Sequence, residues 1–228
     1  IKLRYGWSLT RLPTTCTCGF PFSVHHAMSC KLGGFIHSRH NEVRDITANL
    51  LNEVCQDVSI EPVLQPLNGE RMHYRTANTR EDARLDISAR GFWQRGTRAF
   101  MDVRVFHPLA PRLAGTTLKQ SHHIHESEKR RAYNQRILQV EQGTFTPLVF
   151  TTAGGMSNEC NRFYSRLATL ISEKRGESKA STTTWLRCRI SFSLLRSAIL
   201  CMRGSRTMRP KYEISTSSDL VGQEAHLI

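Results

Sequence analysis

Two stretches constrain this chain most. Residues 84–90 (Arg-Leu-Asp-Ile-Ser-Ala-Arg) and 100–106 (Phe-Met-Asp-Val-Arg-Val-Phe) both alternate polar and apolar side chains with a period of two. That period belongs to β-strands, and the glycine-containing segment 91–98 between them suits a hairpin. Folded antiparallel about Gln94, the strands set Leu85 against Val103, Ile87 against Met101 and Ala89 against Ala99. One face is then apolar, while the other carries Asp86 opposite Asp102, with Ser88 and Arg104 beside them. Opposed side chains lie about 4.5–5.5 Å apart at Cβ, where two like charges repel unless something positive lies between them. Oxygen ligands so placed suit Mg²⁺ or Mn²⁺, which retain water and can activate it against a phosphodiester. The alternative is a solvated sheet face on which Arg84, Arg90 or Arg104 neutralises the two acids.

Around this hairpin the periodicity changes. Ile36, Val43, Ile46, Leu50 and Val54 recur at helical spacing, with Glu42, Asn49 and Glu53 turned away, which predicts an amphipathic helix of about 20 residues. Residues 58–64 read as an extended segment and the polar run 68–82 as a loop. After Pro108 and Pro111 a basic helix is expected from about His122 to Gln142, followed by a strand over 145–151 that ends before Gly154-Gly155. Two more helices are expected over 158–173 and 184–203. The fold class is therefore α/β (α+β), with the order helix-strand-strand-strand-helix-strand over residues 35–155. C-terminal helices occupy 156–206, and the tail 207–228, poor in large apolar residues, is expected to be disordered. A small module over residues 1–34 closes at Gly33-Gly34.

Subtracting 19 acidic from 32 basic residues leaves +13, which favours a polyanionic partner such as nucleic acid, with an anionic membrane surface as the weaker option. The longest apolar stretch, 190–202, is broken by Arg196 and serines and is too short to span a bilayer. The opening Ile1, with no apolar leader, reads as part of a longer protein. Seven cysteines, an odd number with three between Cys16 and Cys30, fit a reducing compartment better than a disulfide framework. Cys16, Cys18, Cys30 and either His25 or His26 form a ligand set that suits tetrahedral Zn²⁺, although the single residue between the first two is tighter than usual. Buried free thiols are the alternative. A metal would supply the ordering energy that so short a segment lacks.

Arg39-His40-Asn41 on the leading helix, then Leu85-Asp86, then Asp102-Val103-Arg104-Val105 stand in an order that resembles the restriction-like endonuclease domain of non-LTR retrotransposon reverse transcriptase proteins. That domain is a branch of the PD-(D/E)XK nuclease superfamily, and its core has the element order read above. The resemblance covers roughly residues 16–151. Leu85 stands where the family has proline, and Arg104 where the superfamily often has lysine. Arginine stays protonated, so it can stabilise developing charge but not act as a base. Lys129, with Tyr133 one turn later, is similar to the family's downstream lysine and tyrosine. The family also carries a Cys/His zinc knuckle ahead of the nuclease, as Cys16, Cys18, His26 and Cys30 do here, which favours His26 over His25.

The resemblance implies a PD-(D/E)XK core and a metal-dependent DNA endonuclease that works in the nucleus, tethered to an upstream reverse transcriptase, with DNA and element RNA as partners. Mg²⁺ or Mn²⁺ would sit on Asp86, Asp102 and the Val103 carbonyl, with Arg104, Lys129, Tyr133 and His40 completing the catalytic set. Nucleic-acid contacts are expected from Arg39, Asn41, Arg95, Arg98, Lys119, Arg130, Arg131 and Arg136. His40 also falls on the apolar stripe of Ile36 and Val43, so a core-edge histidine is equally compatible. Glu42 reads as a third carboxylate or as an exposed helix residue. Phe92 and Trp93 at the hairpin tip either stack on bases or pack on a neighbouring helix. The rival reading is a catalytically inactive nucleic-acid-binding remnant; a repair or junction nuclease of the same superfamily would not require the knuckle.

Overall fold

A computed structural model of the chain describes residues 12–32, 35–65 and 83–203, with the isolated positions 2, 7 and 9. The expected loop over 68–82, the Gly33-Gly34 break and the tail 207–228 lie outside the described residues. The described chain runs α1 (Val24–Ser29), α2 (Phe35–Asn52), β1 (Gln56–Ile60), β2 (Ile87–Arg90), β3 (Arg98–Phe106), a 3-10 turn at Pro111–Leu113, α3 (Leu118–Gln139), β4 (Thr144–Thr151), α4 (Asn158–Arg175) and α5 (Lys179–Arg203). It is a mixed α/β fold around one four-stranded sheet, ordered β1-β2-β3-β4. Among the described residues no helix is long and apolar enough to cross a membrane.

The hairpin adopts the register expected from the alternation. Ile87 faces Met101 and Ala89 faces Ala99, and the connection closes through the Gly91 N–H to the Thr97 carbonyl at 2.9 Å. The turn takes Gly96 to a φ of +82°, where a Cβ would be strained.

One detail differs from expectation, and one alternative is removed. The ladder stops at Ile87, because the Glu61 N–H bonds the Asp86 carbonyl and the Leu85 N–H bonds the Pro62 carbonyl. That bend carries Leu85 away from Val103 into a cluster with Phe100, Tyr133, Ile137 and Phe145. The second face of the sheet is also covered rather than solvated. β3 is an interior strand, parallel to β4, and the crossover helix α3 closes over the face that carries Phe100.

The opposite face of β3, with Ala99, Met101 and Val103, packs with residues of α2, α4 and α5 into the main core. The hairpin tip belongs to this packing. Phe92 is fully buried with its ring centroid 4.5 Å from that of Phe163, and Trp93 Nε1 donates to Thr146 Oγ1 at 3.0 Å. Phe92 is thus held inside the protein, and the half-buried Trp93 is tied to β4.

β1 spans Gln56–Ile60 rather than 58–64, since Asp57 (φ 48°) and Glu61 (φ 51°) put a bulge before the strand's middle and a turn after its end. α3 begins earlier than expected, capped by Thr117 and Gln120 in a reciprocal box. α1 packs through Ala27 and Met28 against Ala198 and Cys201 of α5. Past β4 the chain folds back along that strand's outer edge. The Thr151 N–H bonds the Gly155 carbonyl at 2.8 Å and the Ser157 N–H bonds the Val149 carbonyl at 3.0 Å.

Candidate active site and metal cluster

The bend before β2, the middle of β3, and the facing sides of α2 and α3 meet at a cleft of about 1060 Å³. Asp86 and Asp102 both line it, so the sheet does not separate them. Asp86 uses both oxygens: Oδ1 lies 2.9 Å from His40 Nε2, and Oδ2 accepts the Val103 N–H at 2.6 Å. Asp102 is buried beside it, with Oδ2 2.6 Å from Lys129 Nζ. Lys129 is thus the partner of this buried oxygen. Lys129 Nζ also lies 5.8 Å from the centroid of the Tyr133 ring, which lines the cleft from the same helix.

The two acids are driven apart in acidity. Burial pushes Asp86 up, but the His40 and Lys129 charges and the Val103 N–H outweigh it and hold its carboxyl below the usual carboxylate range. Burial pushes Asp102 up as well, and there the charge of Asp86 adds to it while Lys129 opposes it; the net direction is upward. Desolvation would lower His40, yet the adjacent Asp86 raises it above its ordinary value. His40 is therefore neither a core filler nor an isolated base, but a partner of Asp86.

The remaining candidates divide. Asn41 and Arg104 line the cleft. Arg39 also borders it but is turned inward, buried at 2 % exposure, with Nη1 donating to the Met28 carbonyl at 3.3 Å. Its side of α2 meets α1 and α5, which removes it from solvent. Arg136 is buried on α3 and donates to the Gln65 carbonyl. Arg98 is held by Ser88 Oγ at 3.0 Å and by Asp57. Arg130 pairs with Glu159, its Nε 2.8 Å from the carboxylate. Arg95, Lys119 and Arg131 are exposed, and none of the three lines the cleft. Glu42 is engaged by Arg196 and by Ser197 Oγ of α5, away from the two aspartates.

Sequence reasoning passed over Arg112, His125 and Glu128. His125 is buried, its ring centroid 4.4 Å from that of Phe106, with Nε2 3.2 Å from Arg112 Nη2 and Nδ1 3.4 Å from Glu128. The signal available was the spacing of His125 and Glu128, three apart on one helix.

Ahead of the core, Cys16, Cys18, His26 and Cys30 bring their ligand atoms within 4.8 Å of one another, a cluster that can hold a metal such as zinc. The tight spacing is accommodated by a turn in which the Cys16 N–H bonds the Phe20 carbonyl and Gly19 adopts a φ of +87°. Ser23 caps α1 by accepting the His26 N–H at 3.1 Å, which fixes His26 in the first turn. Cys18 Sγ lies 3.1 Å from His26 Nε2 and Cys16 Sγ 3.9 Å from Cys30 Sγ. The Cys18 N–H, with His26, draws the Cys16 thiol down to about 6, while burial pushes Cys30 up to about 11. His25 turns the other way, its Nδ1 2.8 Å from His107 Nε2. The choice between the two histidines falls to His26.

No family model matches this chain, and no curated protein matches it.

Proposed function

We propose that the chain is a metal-dependent DNA endonuclease domain of the PD-(D/E)XK kind, encoded by a retroelement, that hydrolyses phosphodiester bonds of target DNA in the nucleus. The observation that carries this reading is the meeting of Asp86 and Asp102 in one cleft with Lys129 Nζ 2.6 Å from Asp102. Asp86 and Asp102 present hard carboxylate oxygens to one cleft, so the residues present fit Mg²⁺ or Mn²⁺ once Lys129 yields its place on Asp102. Asp86 and Asp102 would hold that ion. When bound, it would neutralise charge on a phosphate and lower the pKa of its water.

The chain's own residues supply the rest. His40, fixed on Asp86, keeps that carboxylate ionised and oriented. Lys129 stands over Tyr133 with its ammonium at the acids, where it can move to the developing negative charge of a phosphate. Arg104 remains a cation and takes no part as a base. The thiolate cluster would hold Zn²⁺ and position DNA, and a reverse transcriptase would lie upstream in the same protein.

D86N and D102N are the test. Each is expected to abolish Mg²⁺-dependent nicking of supercoiled plasmid while keeping salt-sensitive binding of the same DNA. Nicking at wild-type rate by either variant overturns the assignment. A binding module without catalysis is the second reading, favoured by the pairs His40–Asp86 and Lys129–Asp102, which balance both acids without an ion. It is the outcome in which the wild-type chain binds plasmid and does not nick it.

A further inference from the structure

A second charged group reaches the same cleft from the connection between β3 and α3, outside the acid chemistry. Phe106, Leu113 and Val149 bury themselves together and anchor this connection. Thr116 Oγ1 donates to the Leu113 carbonyl at 2.7 Å and fastens the turn again. Arg112, inside the turn, is thereby held on the rim of the cleft, and Arg104 enters the same cleft from β3.

Behind them sits one carboxylate. Glu128 lies 3.8 Å from Arg104 and 3.4 Å from His125 Nδ1, and His125 Nε2 takes a hydrogen bond from Arg112 at 3.2 Å. His125 with a proton on Nδ1 donates to Glu128 and accepts from Arg112, so the imidazole is neutral and adds no negative charge. The two guanidiniums are close enough that the Arg112 charge, after burial, helps draw the pKa of Arg104 down. Arg104 has Glu128 and, through its charge, Asp102 beside it, while Arg112 reaches Glu128 only through the neutral His125, so positive charge and N–H donors remain at this end of the cleft. The oxygens of a phosphodiester match two planar guanidinium forks better than any single lysine contact does.

We propose that Arg104 and Arg112 jointly clamp one backbone phosphate of the nucleic-acid strand in the cleft, beside the bond presented to Asp86 and Asp102. The clamp fixes strand register relative to the two acids. It rests on the endonuclease reading for the neighbouring bond, not for the phosphate contact itself.

The test uses the full chain and a fluorescein-labelled DNA duplex, with Mg²⁺ omitted so that binding is read without cleavage. R104A and R112A are each expected to weaken binding about tenfold, as for loss of a charge-assisted hydrogen bond. The double variant should lose little more than either, because both serve one phosphate. Duplexes carrying a single neutral methylphosphonate locate the contact: one position should weaken binding by the wild-type chain and be silent in the double variant. Unchanged affinity in the single variants, additive losses, or persistence of that position in the double variant overturns the clamp. If D86N still nicks while these losses stand, the chemistry falls and the clamp remains. If nicking requires Asp86 but the losses are absent, the clamp alone falls.

Discussion

His125 and His107 are imidazoles that the fold keeps neutral. Burial, then the neighbouring Arg104 and Arg112 charges, brings His125 down to about 4, and burial with the adjacent His25 brings His107 down to about 4. A folded value below the unfolded one means that the unfolded chain takes up the proton first, so stability present above pH 6.5 is lost as pH falls toward 4. Melting temperature is expected to drop across that window, and H125F, which keeps a ring against Phe106, should flatten part of the decline. An unchanged slope in H125F would show that His125 carries none of it.

The same residues mark what the sequence discloses. The hairpin was legible because strict alternation and a short connector leave one register for Ile87–Arg90, whereas Asp86 reaches the cleft of Asp102 through the bend before β2, which alternation does not disclose. Lys129 was legible only as one of several neighbouring basic residues. Arg112 and His125 were not, since they meet only after Phe106 and Leu113 pack. Arg136 misled because net charge names the class of partner, and Arg39 because a short motif names a residue; neither says which side of a helix is covered.

At the level of elements, the parallel pairing of β3 with β4 decides whether the crossover helix can deliver Lys129. Gly143 stands where this pairing begins, and a Cβ there would lie 2.6 Å from the Arg98 carbonyl oxygen and 2.9 Å from the Phe100 ring. G143A is therefore expected to cost about 1–3 kcal/mol, read as a lowered urea midpoint. Wild-type stability in G143A would mean that β4 shifts freely on β3. Periodicity located the helices and strands in order because each has one buried stripe or face. It missed the boundaries that depend on single backbone conformations, such as the positive φ of Asp57 and the Thr117–Gln120 cap.

Across the whole molecule, the Cys/His cluster is joined to the core. α1 carries His26 on one side, while Met28 packs against Cys201 of α5 and His25 meets His107 beyond β3. The protein is expected to contain about one zinc per chain by elemental analysis, given a four-ligand set of this composition. C16S/C30S should lose it and expose Cys201, now buried, to a thiol reagent. Continued protection of Cys201 in the zinc-free variant would show that α1 docks without the ion.

The fold-back after β4 has a consequence of its own. At β4 the hydrogen bonds from Thr151 and Ser157 already occupy groups that a foreign strand would seek, and at the opposite margin β1 is short and bulged. Among the described residues neither border offers a long, straight row of unpaired groups, so folded copies are poorly suited to join edge to edge.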